Sequence, residues 1–337
     1  MSPPLVSVLL PCFNAEAFVA TAMESVRAQT YTSIEVIAVD DGSSDDTVRI
    51  LKGYREQGAK IVLQEGKGAS AARNRALAEA QGQFVLFLDS DDLIGSRHIE
   101  RLIARMDGSD DCIAMGEWDR IVSTPDDAAF PHRETYRDWT GTDFLIEDWS
   151  AGRPMTQCGT FLIPRARIEK LGGWDERLTL NDDFEFFARL LAGDCRLRFA
   201  PRARLYYRSS VAGSLSGRKS RAAVESACLS LLLGTKHLLA AEDSPRSQLA
   251  AANMLKTFDY TIYPAYPALR RKVCQRVKEL GGSTLAPDGP PGFHKLHRFV
   301  GWKGARLVEN LVQCLRARDS RSSRTQAVTP TQELRAR

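Results

Sequence analysis

The sequence predicts an α/β protein built on a mostly parallel, doubly wound sheet, and three observations carry that expectation. Leu5–Leu10, Ile34–Val39, Lys60–Leu63 and Phe84–Leu88 are short apolar runs, the form taken by strands buried on both faces of a parallel sheet. Helical segments alternate with them, which implies right-handed crossovers. Carboxylates gather directly after the second and fourth runs, where such sheets present their ligand crevice.

Each element has a local reason. Ala15–Gln29 places Phe18, Ala22 and Val26 near one helical face. Ser43–Arg55 opens on Ser43-Ser44-Asp45-Asp46, residues that cap helix N-termini. Ala69–Ala80 is rich in alanine. Beyond Gly95 the pattern loosens. Cys112–Trp118, Gly159–Pro164 and Leu197–Tyr207 read as strands, Ser123–Asp138 as a polar loop and Asp182–Leu191 as an amphipathic helix. The stretch from Ser216 to about Leu280 reads as helical and Gly281–Gly292 as a Gly/Pro-rich linker. Phe293–Leu315 is a further basic helix carrying Phe299 and Trp302, and Arg318–Arg337 reads as a disordered polar tail.

Composition narrows the class. With 337 residues, 43% hydrophobic and 26% charged, and a mean hydropathy of -0.27, the chain is neither disordered nor fibrous. Its longest apolar stretch, around Ala227–Gly234, falls short of the roughly 20 residues that cross a bilayer. Met1-Ser2-Pro3-Pro4 leads straight into a strand-like run, which predicts no export signal. Seven scattered cysteines without a C-x-x-C pair argue against a disulfide framework or a zinc site, so a reducing cytoplasm is expected. The net charge of +4 hides an acidic front and a basic back: residues 1–200 hold 22 Lys/Arg against 33 Asp/Glu, and residues 201–337 hold 24 against 9. The basic part suits phosphates or anionic lipid; no nucleic-acid reader motif accompanies it, so nucleic acid is not expected as a partner.

Three strand ends carry the chemistry: Leu10-Pro11-Cys12-Phe13-Asn14, Val39-Asp40-Asp41-Gly42-Ser43 and Leu88-Asp89-Ser90-Asp91-Asp92. Asp89 and Asp91 place two hard oxygen donors on one turn, a set that suits Mg²⁺ or Mn²⁺ shared with phosphate oxygens; an exposed turn or helix cap is the plain alternative. Asp41 can accept from a base N–H. Arg73 opens a helix after the flexible Glu65-Gly66-Lys67-Gly68, where it can meet a diphosphate. A dinucleotide cofactor is not expected, because strand one is followed by PCFNAE and not by G-x-G-x-x-G; the P-loop pattern is missing as well.

Taken in order, VSVLLPCFNAEAFVATAMESVRAQTYTSIEVIAVDDGSSDDT, GKGASAARNRAL and FVLFLDSDD resemble the family 2 glycosyltransferases with the GT-A fold, and the resemblance extends over CGTFLIPRARIEKLGGWDE and NDDFEFFARL. It covers about residues 5–210. It implies a GT-A domain over residues 1–215, with a nucleotide-binding half (1–110) and an acceptor-binding half (111–215), then a helical region over 216–317 and the tail 318–337. It implies an inverting transferase that moves a sugar from a nucleotide-diphosphate sugar, with UDP favoured, to a hydroxyl of a glycan or lipid-linked saccharide in envelope or exopolysaccharide assembly. Pro11 and Phe13 would then flank the base, with Glu16 and Ser90 also on the nucleotide side. Asp41 would read the base, Arg73 the diphosphate, and Asp89 and Asp91 the metal. Asp183, second of the Asp182-Asp183 pair, would be the general base, with Trp174 and Asp175 shaping the acceptor side.

The chain departs from the family after the last strand. Where many members have Tyr-Arg-x-His it has Tyr207-Arg208-Ser209-Ser210, with Arg208, Ser214 or Arg218 as substitutes for the missing His. The histidines His98, His132, His237, His294 and His297 read as surface residues. Phe293–Leu315 either packs as the last helix or lies in a membrane interface, which would put a cytoplasmic protein peripherally at the membrane's inner face. The rivals are a catalytically silent carbohydrate- or nucleotide-binding protein on the same fold and a sugar-phosphate nucleotidyltransferase. The latter wants a Gly-rich, Arg-containing loop that PCFNAEAF does not supply.

Overall fold

The apolar runs do become parallel strands. In the computed structural model, which describes residues 3–154, 157–209 and 220–326, the first half alternates β1 (Val6–Cys12), α1 (Val19–Arg27), β2 (Ile34–Asp40), α2 (Thr47–Lys52), β3 (Lys60–Leu63), α3 (Ala69–Glu79) and β4 (Phe84–Phe87). It continues with β5 (Leu93–Ile94), α4 (His98–Ile103), β6 (Cys112–Ile121), β7 (Trp139–Thr140), α5 (Gly141–Trp149), β8 (Phe161–Pro164), α6 (Arg165–Leu171), α7 (Asp182–Leu191) and β9 (Arg196–Arg208). Four helices follow: α8 (Arg221–Ala241), α9 (Pro245–Ile262), α10 (Pro267–Glu279) and α11 (Pro291–Gln326).

The strands form one mixed sheet in the order β3-β2-β1-β4-β8-β6-β9-β5, with β7 on β9. β3, β2, β1 and β4 are mutually parallel. β8 then runs antiparallel to both β4 and β6, while β6 and β9 are parallel. The inner parallel strands β1, β2 and β4 are buried on both faces, with Val8, Leu9, Leu10, Ile37, Val39, Leu86 and Phe87 fully enclosed, whereas the edge strand β3 leaves Lys60 and Leu63 exposed. One face packs against α1 and α4, with Met23, Ile99 and Leu102 in its core. The other packs against α3, α5, α7 and α8, around Phe87, Phe161, Phe186 and Phe187.

The C-terminal helices are braced against the sheet domain at a telling place. Ser226 of α8 accepts hydrogen bonds from the backbone N–H groups of Thr179 and Leu180 (2.8 and 3.1 Å), and Ser230 donates to the Asn181 carbonyl at 2.5 Å. These bonds fix the turn from which α7 starts. Gly234 lets the two helices close up, since a Cβ there would meet the Phe184 ring at 2.5 Å. By length and apolarity α8 could cross a membrane, contrary to the impression of the Ala227–Gly234 run, yet half of its apolar window is buried within the protein.

Two other expectations are corrected. His98 is not a surface residue: it is fully buried, its Nε2 lies 2.9 Å from the Gly159 carbonyl, and burial pulls its pKa down to about 4. Helix α11 runs past Arg318 to Gln326, into the first part of the stretch expected as a tail, which contains no glycine or proline to end it; residues 327–337 lie outside the described residues. It departs from helical geometry only at Gly301 (φ 68°).

Candidate active site

The turn after β2 organises the first side of the site. Asp40, nearly enclosed, accepts from the N–H groups of Gly42 and Ser43 (3.1 and 3.0 Å) and from the Ser43 hydroxyl at 2.5 Å. Gly42 has φ +82°, a conformation that favours glycine, and a Cβ there would lie 3.2 Å from the Gly66 nitrogen. Asp41 is also buried. Its Oδ1 accepts from Gln64 Nε2 (2.7 Å) and Lys67 N–H (2.8 Å), and its Oδ2 from Gly68 N–H (2.8 Å). Asp41 therefore pins the loop that leads into α3, and three acceptor sites are in use of about four that a carboxylate offers.

The turn after β1 is stitched to this one. Asn14 accepts from Ser44 N–H, and its own N–H donates to Ser43 Oγ (both 2.8 Å). Glu16 accepts from Asp46 N–H at 2.9 Å and so tethers the start of α2. Pro11 lies one residue before the end of β1 and Phe13 stands 51% exposed beyond it. Ser90, after β4, lies within reach of the Cys12 thiol, whose pKa burial and the neighbouring Asp40 push up.

α3 is the hub. Arg73, only 5% exposed, donates from Nη2 to Asp89 Oδ1 (2.8 Å) and from Nη1 to Asp182 Oδ2 (2.7 Å). Its guanidinium lies 4.4 Å from the centre of the Trp174 ring. One arginine thus joins the end of β4 to the start of α7, and its bond to Asp182 spans 109 residues of chain. Ser70 Oγ reaches the same Asp182 oxygen at 2.8 Å. Arg73 was expected to face a diphosphate; here its charge is held between two carboxylates. Its Nε, buried and without a hydrogen-bond partner among the described residues, is the part left unanswered.

Trp174 lies beneath this arginine. It is buried, stacks on Phe186 at 4.0 Å and meets Phe87 edge-on at 5.2 Å, so it forms the floor of the site. Asn74, which sequence reasoning missed, clamps the Trp174 backbone through two hydrogen bonds of 2.8 and 2.9 Å. Asp175 is held by Arg177 in an ion pair of 2.6 Å.

Two carboxylates stand apart from these ties. Among the described residues Asp183, at the start of α7, accepts only the adjacent Phe184 N–H (2.8 Å). Burial and the neighbouring Asp182 raise its pKa to about 7, against the opposing pull of Arg73. Asp91 forms no ion pair among the described residues, and burial together with Asp89 pushes its pKa up to about 6. Asp92, which the sequence reading left unassigned, is buried and accepts from Arg208 N–H at 2.8 Å; Arg208 Nε in turn donates to the Asp91 carbonyl at 3.0 Å. Arg208 thus belongs to the site, whereas Ser210, Ser214 and Arg218 lie outside the described residues. No group of three His, Cys, Asp or Glu side chains surrounds a common point among the described residues.

Cys158, buried next to Arg73, Asp89 and Asp183, opens the turn that leads to Thr160. Beyond it, a cavity of about 180 Å³ is lined by Trp118, Arg133, Tyr136, Glu147 and Thr160 among others.

A mixed sheet thus brings the turns after β1 and β2, an acidic strand end and an acidic helix start around one buried arginine, the frame of an α/β enzyme. Residues 7–171, just under half of the chain, match the model of Glycosyl transferase family 2. Among curated proteins it is 31% identical to glycosyltransferase GlyG of Streptococcus pneumoniae over 177 residues, covering 49% of this chain and 56% of that one. It is 39% identical over 107 residues to the Escherichia coli UDP-Glc:alpha-D-GlcNAc-diphosphoundecaprenol beta-1,3-glucosyltransferase WfgD, covering 32% of this chain and 42% of that one. The matched stretch spans no more than 56% of the length of these relatives. In structure the chain resembles Staphylococcus aureus TarS 1-349 in complex with UDP-GlcNAc, with a TM-score of 0.64 at 20% identity over 82% of this chain and 80% of that one, a likeness of fold.

Proposed function

We propose that the protein is an inverting glycosyltransferase that moves a sugar from a uridine-diphosphate sugar to a hydroxyl of a glycan or lipid-linked saccharide in cell-envelope polysaccharide assembly. The observation that carries the reading is the Arg73 bridge. It neutralises Asp89 and Asp182 and leaves Asp183 as a recessed, unpaired carboxylate with a pKa near neutrality. A carboxylate so placed can take the proton of an acceptor hydroxyl as that oxygen bonds to the anomeric carbon. The bond from that carbon to the diphosphate breaks on the opposite face, and the electron pair leaves with the nucleoside diphosphate. A base with a pKa close to the working pH serves this better than an ordinary aspartate would.

The residues fit a divalent cation. Asp91 and Asp89 lie on one turn, their oxygens are hard donors, and the raised pKa of Asp91 marks a carboxylate short of counter-charge. Mg²⁺ and Mn²⁺ are commonly held by one or two carboxylates with water and substrate phosphate completing the shell, so a third side chain is not required. Such an ion, when bound, stabilises negative charge on the departing diphosphate. Asp41, through its free acceptor site, and Phe13, projecting beside the nucleotide-side turns, support a base at that edge. The names of the relatives support a uridine nucleotide and a lipid-linked acceptor, and the cavity beyond Thr160 is where the acceptor side is proposed.

The test is a panel of nucleotide sugars assayed for nucleoside-diphosphate release with Mn²⁺ or Mg²⁺. Release from at least one UDP-sugar is expected. Release from none of the panel would overturn the reading, and donor binding by calorimetry without release would favour the catalytically silent binding protein.

A further inference from the structure

Helix α11 has two faces with different fates. Its inner face is packed: Phe293 and Ala305 are buried, and Trp302 meets the Tyr260 and Tyr263 rings of the α9 end at 4.7 and 4.9 Å. Arg306 continues this face, donating to the Asp288 carbonyl at 2.8 Å and pairing with Glu309 at 2.5 Å. The outer face is apolar and bare. Leu307, Val308, Leu311 and Val312 recur at the spacing of a single helical stripe and are 39–61% exposed, and Phe299 (86%) and Val300 (52%) precede them across the break at Gly301. Six of the ten exposed large hydrophobic residues described in this protein therefore lie on the two helical segments of α11 that meet at the Gly301 kink.

Charge says what this face meets. Residues 291–326 hold eight Lys/Arg against two Asp/Glu. A helix with one apolar stripe and a strong positive excess has the composition of one that lies in a bilayer interface, where apolar side chains enter the acyl boundary and cations meet anionic headgroups. We infer that α11 docks the protein on an anionic lipid surface through Phe299, Leu307, Val308 and Leu311. The inference is independent of the donor assignment: it concerns a face remote in sequence from the Arg73 cluster, and donor binding is measured without lipid.

The experiment is flotation of the full chain with vesicles of phosphatidylcholine alone and of three parts phosphatidylcholine to one part phosphatidylglycerol. Binding to the second and not the first is expected, weakening with added salt. Leu307→Glu and Leu311→Glu, each on an exposed site that leaves the fold unstrained, should each weaken it at least tenfold. Leu249→Glu, an exposed leucine on α9, should not change it. Circular dichroism and thermal unfolding verify that the variants fold. No binding to anionic vesicles, equal binding to neutral ones, or binding unaffected by Leu311→Glu would overturn the inference. So would a light-scattering mass that falls from dimer to monomer on Leu311→Glu without any lipid binding, which would make the stripe a contact between two copies.

Discussion

Asp183→Asn separates catalysis from folding. The amide keeps the shape of the side chain and its hydrogen bond to the Phe184 N–H, but cannot accept a proton from an acceptor hydroxyl. General-base catalysis is worth roughly 10²–10⁴-fold, so transfer should fall by that factor while uridine-diphosphate affinity stays within about twofold. Stability should move the other way. The carboxyl sits near 7 in the folded chain against an ordinary 3.8, so folding binds its proton more tightly. Below about pH 4 both states are protonated and the residue is neutral to stability. Between about pH 4 and 7 the unfolded chain ionises first, and above that window the full penalty of the buried charge applies. Three units correspond to about 4 kcal/mol, reduced to about 2 kcal/mol by the side chain's partial exposure. Asp183→Asn should therefore melt about 4 °C higher than the parent at about pH 8 and match it at about pH 4. Calorimetric melts across that range, with turnover assayed beside them, check both halves. Turnover within about tenfold of the parent, or a melting difference that does not grow with pH, would refute the reasoning.

Other consequences are quickly drawn. The acid limb of turnover should fall tenfold per pH unit below about 7, and a flat profile would remove Asp183 as the group responsible. Arg73→Lys breaks the two-carboxylate bridge, since an ammonium cannot span Asp89 and Asp182 as a planar fork does; about 3–5 kcal/mol of stability should be lost, read by urea unfolding. His98 has its pKa lowered to about 4, so folding disfavours its proton; stability holds above about pH 6.5 and declines toward pH 4, and His98→Gln should flatten that decline in thermal melts. Ser230→Ala removes a bond to the Asn181 carbonyl and should lower turnover several-fold with little change in melting temperature, because it loosens the turn that presents Asp183.

The sequence foretold the parallel half of the sheet because its strands are buried on both faces. Continuous apolar runs located β1 to β4 within two residues, and alanine content and the acidic opening placed α3 and α7. It did not foretell β5 and β7, two residues each, or α4, six residues, because their pairing and packing come from β9 and the sheet and not from local periodicity. The site was legible as bursts of carboxylates at strand ends. Which carboxylates are tied up was not: Asp41 to Gly68, Asp182 to Arg73 and Asp92 to Arg208 are bonds between residues far apart in the chain. Arg73 read as an accessible helix-start cation for the same reason. Its burial depends on Trp174 and Asp89 arriving from elsewhere.

The account rests on an acidic turn after β4 that binds a nucleoside diphosphate together with a divalent ion. Calorimetric titration of uridine diphosphate into the parent and into Asp91→Asn, each with and without Mn²⁺, tests this most directly. Affinity that requires Mn²⁺ in the parent and is lost in the variant is expected; uridine-diphosphate affinity equal in both proteins and indifferent to the metal would overturn the assignment of this turn.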